Sequence, residues 1–385
     1  MGEWKCAMEN MGIMTHLFDN AYSGKRILVT GHTGFKGSWL TLWLTFLGAR
    51  VVGVSAHLPS TPCNFSILGL GDVVDNITLD VRELDKLKEV FHEYQPEVVF
   101  HLAAQAIVKK AYAEPKLTFE TNLGGTINVL ECIRATPNVR VGVIITSDKC
   151  YQNVEWTWGY RENDRLGGDD PYSASKACSE IACQAYIRSF FRKSEGGTSP
   201  RLATTRAGNV IGGGDWAEDR IIPDCVRALV RKEDIVIRNP NATRPWQHVL
   251  EPLSGYLWLG AKLMQSDKLH GEAFNFGPDQ KVNQPVRELI KLFADYWGYG
   301  GWRHEGTSGG EKENTLLKLS CDKALHYLSW HSVLTFYDTV RLTAEWYKSY
   351  YSHNGSMFDY SKKQIEYFAS EAKSQRLPWA GGGDS

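Results

Sequence analysis

Excess charge of either sign is missing from this chain. Its 385 residues include 43 basic and 44 acidic side chains, a formal net charge of −1. No overall field draws it to nucleic acid or to an anionic membrane, so an anionic ligand has to be met by local arginines. Long hydrophobic runs are missing too. No stretch approaches the ~20 apolar residues of a membrane helix. Glu3, Lys5, Glu9 and Asp19 interrupt the first 22 residues, so no signal peptide is expected. Cys-x-x-Cys pairs are absent. The eight cysteines stand apart, at 6, 63, 132, 150, 178, 183, 225 and 321. No Cys/His cluster has zinc-ligand spacing, and no metal is expected. Scattered thiols suit a reducing compartment, so the expected location is cytoplasmic. Repeats and low-complexity segments are lacking as well. What is there is 43% hydrophobic and 12% aromatic, the composition of an ordered globular chain.

The first half alternates short apolar runs with helical segments. Strands are expected at 26–30, 50–55, 73–78, 98–101, 141–147 and 203–206. Near-continuous β-branched runs of this kind suit strands buried on both faces. Helices are expected at 38–47, 82–94, 118–135 and 172–190, the last with Asp170 as its cap and Pro171 at its first position. This alternation predicts an α/β fold with a Rossmann-type, doubly wound parallel sheet. After about Ala207 the pattern loosens. Helical stretches at 222–231, 251–264, 286–296 and 336–347 predict a smaller C-terminal α/β lobe. The expected division is an N-terminal extension over 1–23, a dinucleotide-binding domain over 24–207 and a mainly substrate-binding lobe over 208–366. Elements beyond 207 are allowed to return to the first domain. A tail over 367–385 completes the division, with Ser374–Ser385 expected to fray.

Gly31-His32-Thr33-Gly34-Phe35-Lys36-Gly37 follows the first strand and opens the first helix. Glycines there allow a tight turn and close backbone approach, and the helix start presents unpaired N–H groups to a pyrophosphate. The acid that usually ends the second strand is missing, and His57 stands there instead. That leaves NAD and NADP both open on physical grounds. Asp80-Val81 is placed to meet an adenine or simply to cap its strand. Leu102, Ala103 and Ala104, followed by Gln105, end the fourth strand with small residues beside the cofactor position.

The fifth strand ends in Ser147-Asp148-Lys149, and Tyr172-Ser173-Ala174-Ser175-Lys176 opens the following helix. Residues at i and i+4 share one helix face, so Tyr172 and Lys176 can act on one ligand. An ammonium beside a phenol lowers the phenol's pKa, and the pair can then exchange a proton near neutral pH. Farther on, Asn209 ends a strand facing the cleft. Arg238 and Arg244 flank a turn and can clamp a diphosphate. Trp246 and His248 can wall the pocket.

The glycine pattern, the HLAAQ string at 101–105, Asn122, Ser147 and the Tyr172/Lys176 pair resemble the extended short-chain dehydrogenase/reductase superfamily. Longer strings sharpen the likeness: GHTGFKGSWL at 31–40, TSDKCYQN at 146–153, EWTWGYRENDRLGG at 155–168, DPYSASKACSE at 170–180, RAGNVIGGGDWAEDRIIPD at 206–224 and RPWQHVLEPLSGYLWL at 244–259. They resemble the branch of dehydratases that act on CDP-glucose, across roughly 24 to 346. The Asp148-Lys149 pair, where related dehydratases carry Asp-Glu, belongs to that branch.

The resemblance implies a hydro-lyase that uses NAD and takes CDP-glucose as substrate. Its product is the 4-dehydro-6-deoxy sugar, a step of deoxysugar biosynthesis such as that of O-antigen. It implies Ser147, Asp148, Lys149, Tyr172 and Lys176 as catalytic residues. Asn122 joins residues 31–37, Asp80, Val81 and 102–104 at the cofactor. Gln105 and Arg220 join Asn209, Arg238, Arg244, Trp246 and His248 at the substrate. A homodimer or higher homo-oligomer is implied, paired through the helices after the fourth and fifth strands. Two readings compete: a nucleotide-sugar 4-epimerase, which shares everything but the need for Asp148-Lys149, and a non-catalytic dinucleotide-binding sensor.

Overall fold

Apolar residues on both faces of each central strand call for helices on both sides, and that is the arrangement found. The computed structural model describes residues 14, 16–191, 199–279, 283–305 and 316–381. Seven strands form one parallel sheet: β1 (Arg26–Thr30), β2 (Arg50–Ser55), β3 (Asp75–Thr78), β4 (Val98–His101), β5 (Val141–Ile145), β6 (Arg201–Arg206) and β7 (Ala273–Asn275). Their spatial order is β3-β2-β1-β4-β5-β6-β7. The order reverses between β1 and β4, and the crevice beyond the carboxyl ends of those strands is where such sheets bind ligands.

The period of two divides the strand side chains between two cores. Ile27, Val29, Val141 and Val143 face one side. There they meet α1 (Phe35–Phe46) and α6 (Leu250–Gln265). Leu28, Val99 and Ile144 face the other. There they meet α2 (Leu84–Tyr94), α3 (Gly125–Ala135) and α4 (Pro171–Phe190). The remaining long helices are α5 (Ile221–Arg231), α7 (Val286–Trp297), α8 (Phe336–Tyr351) and α9 (Met357–Ser374). Beyond β6 the only sheets among the described residues, apart from β7, are two-stranded pairs.

Two expectations are corrected. The tail was expected to fray from Ser374, yet Leu377, Trp379 and Ala380 are buried. The Trp379 ring stacks on Phe18 at 5.1 Å, and Trp43 meets Phe18 at 5.5 Å. Both ends of the described chain thus seal the α1 face of the sheet, because aromatic area here is worth more buried than frayed. Residues 367–374 belong to α9. Glu3, Lys5, Cys6, Glu9, Gly382 and Gly383 lie outside the described residues.

Candidate active site

The glycine loop fits a dinucleotide for steric reasons. Gly31 has φ +75°, and a Cβ there would lie 2.7 Å from the Ala103 amide nitrogen. A methyl at Gly37 would overlap the Gly31 carbonyl oxygen. Gly34 caps α1 with no side-chain hydrogen bond, so the first N–H groups of that helix remain open to a phosphate. The side chains around the loop, however, mostly brace it. His32 is buried, with Nδ1 at 2.9 Å from Ser55 Oγ and Nε2 at 2.8 Å from Asn76 Oδ1. Thr33 Oγ1 donates to the His57 carbonyl at 2.9 Å. Phe35 packs against the core. Val81 is buried against Gly125. Asp80 accepts from Arg82 Nε at 3.0 Å and Nη2 at 2.7 Å.

Asn122 was expected at the cofactor, and its side chain is otherwise engaged. It accepts from the Gln105 amide at 2.8 Å and donates to the Gln105 carbonyl at 3.0 Å and Ser175 Oγ at 2.9 Å. It therefore clamps the loop after β4 to α4. The Gln105 side chain, expected at the substrate, is taken up by its own loop through Ile107 and Thr118. His248, expected in the pocket wall, is fully buried beside Trp39, and burial lowers its pKa to about 3. Trp246, two residues earlier, is buried as well. Asn209 adopts φ +44° and accepts from the Gln247 amide at 3.2 Å. Arg238 is exposed at the end of the strand 235–237. Arg244 is half-buried and donates to the Thr243 carbonyl at 2.9 Å.

The residues after β5 and those on α4 converge. Asp170 caps α4 by accepting from the Ser173 amide at 3.0 Å, with Pro171 at the first position. The helix start fixed in this way lays Tyr172 and Lys176, both buried, over the carboxyl end of β5. Lys176 Nζ reaches the Ile145 carbonyl at 3.4 Å. Ser147 Oγ donates to Asp148 Oδ1 at 2.9 Å and accepts from the Lys149 amide at 3.3 Å. Lys36, from the glycine loop, also enters this cleft: burial first, then Arg220, bring its pKa down to about 8, while Asp148 pulls it back up. Arg220 is held by Asp215 at 2.8 Å.

Burial governs the charges. It raises the Asp148 carboxyl above the ordinary range, against the opposing pull of Lys149, the Ser147 hydroxyl and Lys36. It lowers Lys176 to about 8. The expectation of a lowered phenol is corrected: burial pushes Tyr172 up to about 12, and the Ser147 hydroxyl offsets part of that rise. Desolvation of an anion outweighs the neighbours here.

Sequence reasoning missed three supports. Glu180, one turn beyond Lys176, is fully buried and pairs with Arg206, its Oε1 2.9 Å from Arg206 Nε. The Tyr172/Lys176/Glu180 spacing was the available signal. Gly208 is the third. A methyl there would overlap Asp148 Oδ2. Gly208→Ala is therefore expected to displace the Asp148 carboxyl and reduce turnover by about a hundredfold, the lower range of general-acid contributions. Turnover beside an unchanged circular dichroism spectrum checks this, and full activity would show that the carboxyl can shift harmlessly.

The parallel sheet, the glycine loop at its switch point and the Tyr/Lys helix together define the class as a dinucleotide-dependent enzyme. The NAD dependent epimerase/dehydratase family matches residues 27–277, and the chain belongs to that family. It is 42% identical to the CDP-glucose 4,6-dehydratase of Salmonella typhimurium over 355 residues, covering 91% of this chain and 98% of that one. It is 24% identical to the CDP-paratose 2-epimerase of Salmonella typhi, over 84% of this chain and 99% of that one. Among solved structures, a dTDP-glucose 4,6-dehydratase from Bacillus anthracis in complex with NAD shares the fold at 20% identity and TM-score 0.71, over 88% of this chain and all (100%) of that one.

Proposed function

We propose that this chain converts CDP-glucose to CDP-4-dehydro-6-deoxyglucose and water. The observation that carries this reading is Asp148, a buried carboxyl with raised proton affinity, hydrogen-bonded to Ser147 beside Tyr172. An epimerase has no use for a proton-holding acid at that place. The 42% identity to a CDP-glucose 4,6-dehydratase supports the nucleotide and the sugar.

NAD fits the loop at 31–37, and when bound it supplies reversible hydride exchange with the sugar. The protein's own groups do the rest. Tyr172 takes the proton of O4, with Ser147 at the same hydroxyl and Lys176 below. The resulting 4-ketone acidifies H5, and Lys149 removes it. Asp148 protonates the C6 hydroxyl, which leaves as water. C6 then regains the hydrogen that C4 gave up, and Lys149 returns a proton to C5. Arg220, Arg238 and Arg244 are the candidates to hold the diphosphate. Residues 24–207 with β7 form the dinucleotide unit, and 208–366 supply most of the substrate lobe. The same reading places the protein in cytoplasmic deoxysugar biosynthesis as a homodimer. Exposed Tyr112, Ile181 and Phe190, on the helices after β4 and β5, support that pairing.

The test is product analysis after incubation with CDP-glucose labelled with deuterium at C4. The expected product is a 4-keto-6-deoxy sugar carrying the label at C6. CDP-galactose would favour an epimerase, and loss of label to solvent would refute internal transfer. Lys149→Ala is expected to keep C4 oxidation in a single turnover and to slow exchange of the C5 proton, each factor of ten being about 1.4 kcal/mol of barrier. The reverse pattern, oxidation lost and C5 exchange fast, would move Lys149 out of the elimination.

A further inference from the structure

Tyr347 is a fully buried residue of α8, and its hydroxyl grips the loop 212–220. The Asp215 amide donates to the phenol oxygen at 3.0 Å, and the phenol donates back to the Asp215 carbonyl. The adjoining Trp216 ring packs against Trp346, Tyr347 and Tyr350 at 5.7, 5.5 and 5.3 Å. Its Nε1 donates to Tyr351 Oη at 3.3 Å. All of these partners belong to α8, so the loop is bolted to that helix.

The loop rims the carboxyl ends of the central strands. Just before it, Gly208 abuts the Asp148 carboxyl. A Cβ at Gly212 would lie 3.2 Å from the Phe35 ring, at the start of α1. At the far end Asp219 pairs with Lys109 at 3.3 Å, on the short helix Val108–Ala113 that follows β4. Arg220 comes next, as the residue that precedes α5.

The Asp215 carboxylate ties this loop together. Its Oδ1 accepts from the Ala217 amide at 3.1 Å and its Oδ2 from Arg220 Nη1 at 2.8 Å. The aspartate side chain is 8% exposed and the arginine 36%, so the anchor is shielded while the guanidinium stays within reach of a ligand. Nη1 is docked, and among the described residues Nε and Nη2 have no partner. Those two N–H groups form one edge of a fixed fork, the edge that suits two oxygens of a phosphate. A freely rotating arginine loses rotamer freedom when an anion captures it, whereas an anchored one has lost it on folding. We propose that Asp215, itself fixed by Tyr347, is a positioning residue that holds Arg220 in the pose that receives the substrate's diphosphate. This rests on the reading above of a nucleotide-sugar substrate with Arg220 at its diphosphate. The negative charge of Asp215 by itself works against an anion, so the direction of the effect is decisive. Neutralising Asp215 tightens binding if charge alone matters and weakens it if positioning does.

The experiment titrates CDP calorimetrically into the NAD-loaded wild type, Asp215→Asn, Tyr347→Phe, Arg220→Gln and the double variant Asp215→Asn with Arg220→Gln. KM and kcat for CDP-glucose are measured beside it. Asp215→Asn and Tyr347→Phe are each expected to weaken CDP by about tenfold, the scale of ordering one long side chain. Both should raise KM by more than they lower kcat. Arg220→Gln is expected to weaken CDP by about a hundredfold. In that background Asp215→Asn should add nothing, because it acts only through the arginine. NAD affinity should stay at the wild-type value throughout. Tighter CDP binding by Asp215→Asn would overturn the proposal, and so would a further tenfold loss in the double variant. A loss of NAD affinity in place of CDP affinity would overturn it too, and would assign the arginine to the cofactor's pyrophosphate. If Tyr347→Phe fails to fold, the Asp215→Asn comparison decides alone. A wild type that does not bind CDP would refute the nucleotide reading and this proposal with it. One that binds CDP but makes no keto sugar would refute only the dehydratase reading, and the binding ratios would still decide the role of Asp215.

Discussion

Tyr172→Phe is expected to slow C4 oxidation by about a hundredfold to ten-thousandfold, the range of general acid–base catalysis. The ring is buried and Phe fills the same volume, so the fold and NAD binding should survive. The lost group is the phenol, the proposed base at O4. Because burial raises that phenol to about 12, little of it is ionised near neutral pH in the free protein. Wild-type kcat/KM should therefore rise with pH along a limb that belongs to the phenol, and Tyr172→Phe should lack this limb. The measurement is the pH profile of both proteins, with circular dichroism and NAD binding as controls. Near-normal activity in the variant would remove Tyr172 from the mechanism.

Glu180→Ala is expected to lower stability by about 3–5 kcal/mol, because it strands a buried arginine. Glu180 and Arg206 are both 0% exposed. Glu180 also accepts from Thr146 at 2.5 Å and Thr204 at 2.7 Å. Arg206 donates further to Tyr151 at 2.7 Å and to the Glu162 carbonyl at 3.0 Å. The carboxylate thus ties α4 to β5 and β6, and it sets the depth at which Tyr172 and Lys176 meet the cleft. Replacing both partners, as in Glu180→Leu with Arg206→Met, should recover much of the loss. Urea unfolding of the single and double variants is the check, and additive losses would argue against the pair acting as a unit.

The same pair has a pH signature. Burial alone would raise Glu180, but Arg206 and the two hydroxyls outweigh it and hold the carboxyl below its ordinary 4.5. A depressed folded pKa adds stability above the unfolded value, and this is lost as pH falls through the folded one. The wild type should lose this part of its stability below about pH 4.5, whereas Glu180→Ala should show a flatter acid limb.

The sheet was legible because its strands are short, apolar on both faces and regularly separated. β1, β2 and β4 fall at their expected bounds. The three-residue β7 went unseen, since a strand that short carries no period, and its place depends on pairing with β6 seventy residues away. The last part of helix α9, residues 367–374, was read as tail for another reason. Its apolar face has meaning only against α1 and α8, which local pattern does not reveal.

For the site, the sequence by itself determined the chemistry-bearing residues that lie close along the chain. Ser147, Asp148 and Lys149 are consecutive, Tyr172 and Lys176 are one turn apart, and the glycine loop is one contiguous string. Local geometry fixes what such neighbours can do together. Only the tertiary structure decided which way the other polar side chains turn. His32, Asn122, Gln105 and His248 carry the right chemistry for ligands, yet packing commits them to brace loops and fill the core. Only the tertiary structure, too, sets the sign of the charge effects. How far a phenol or a carboxyl is removed from water depends on groups brought together from across the fold, and desolvation outweighed the neighbouring charges at both Tyr172 and Asp148.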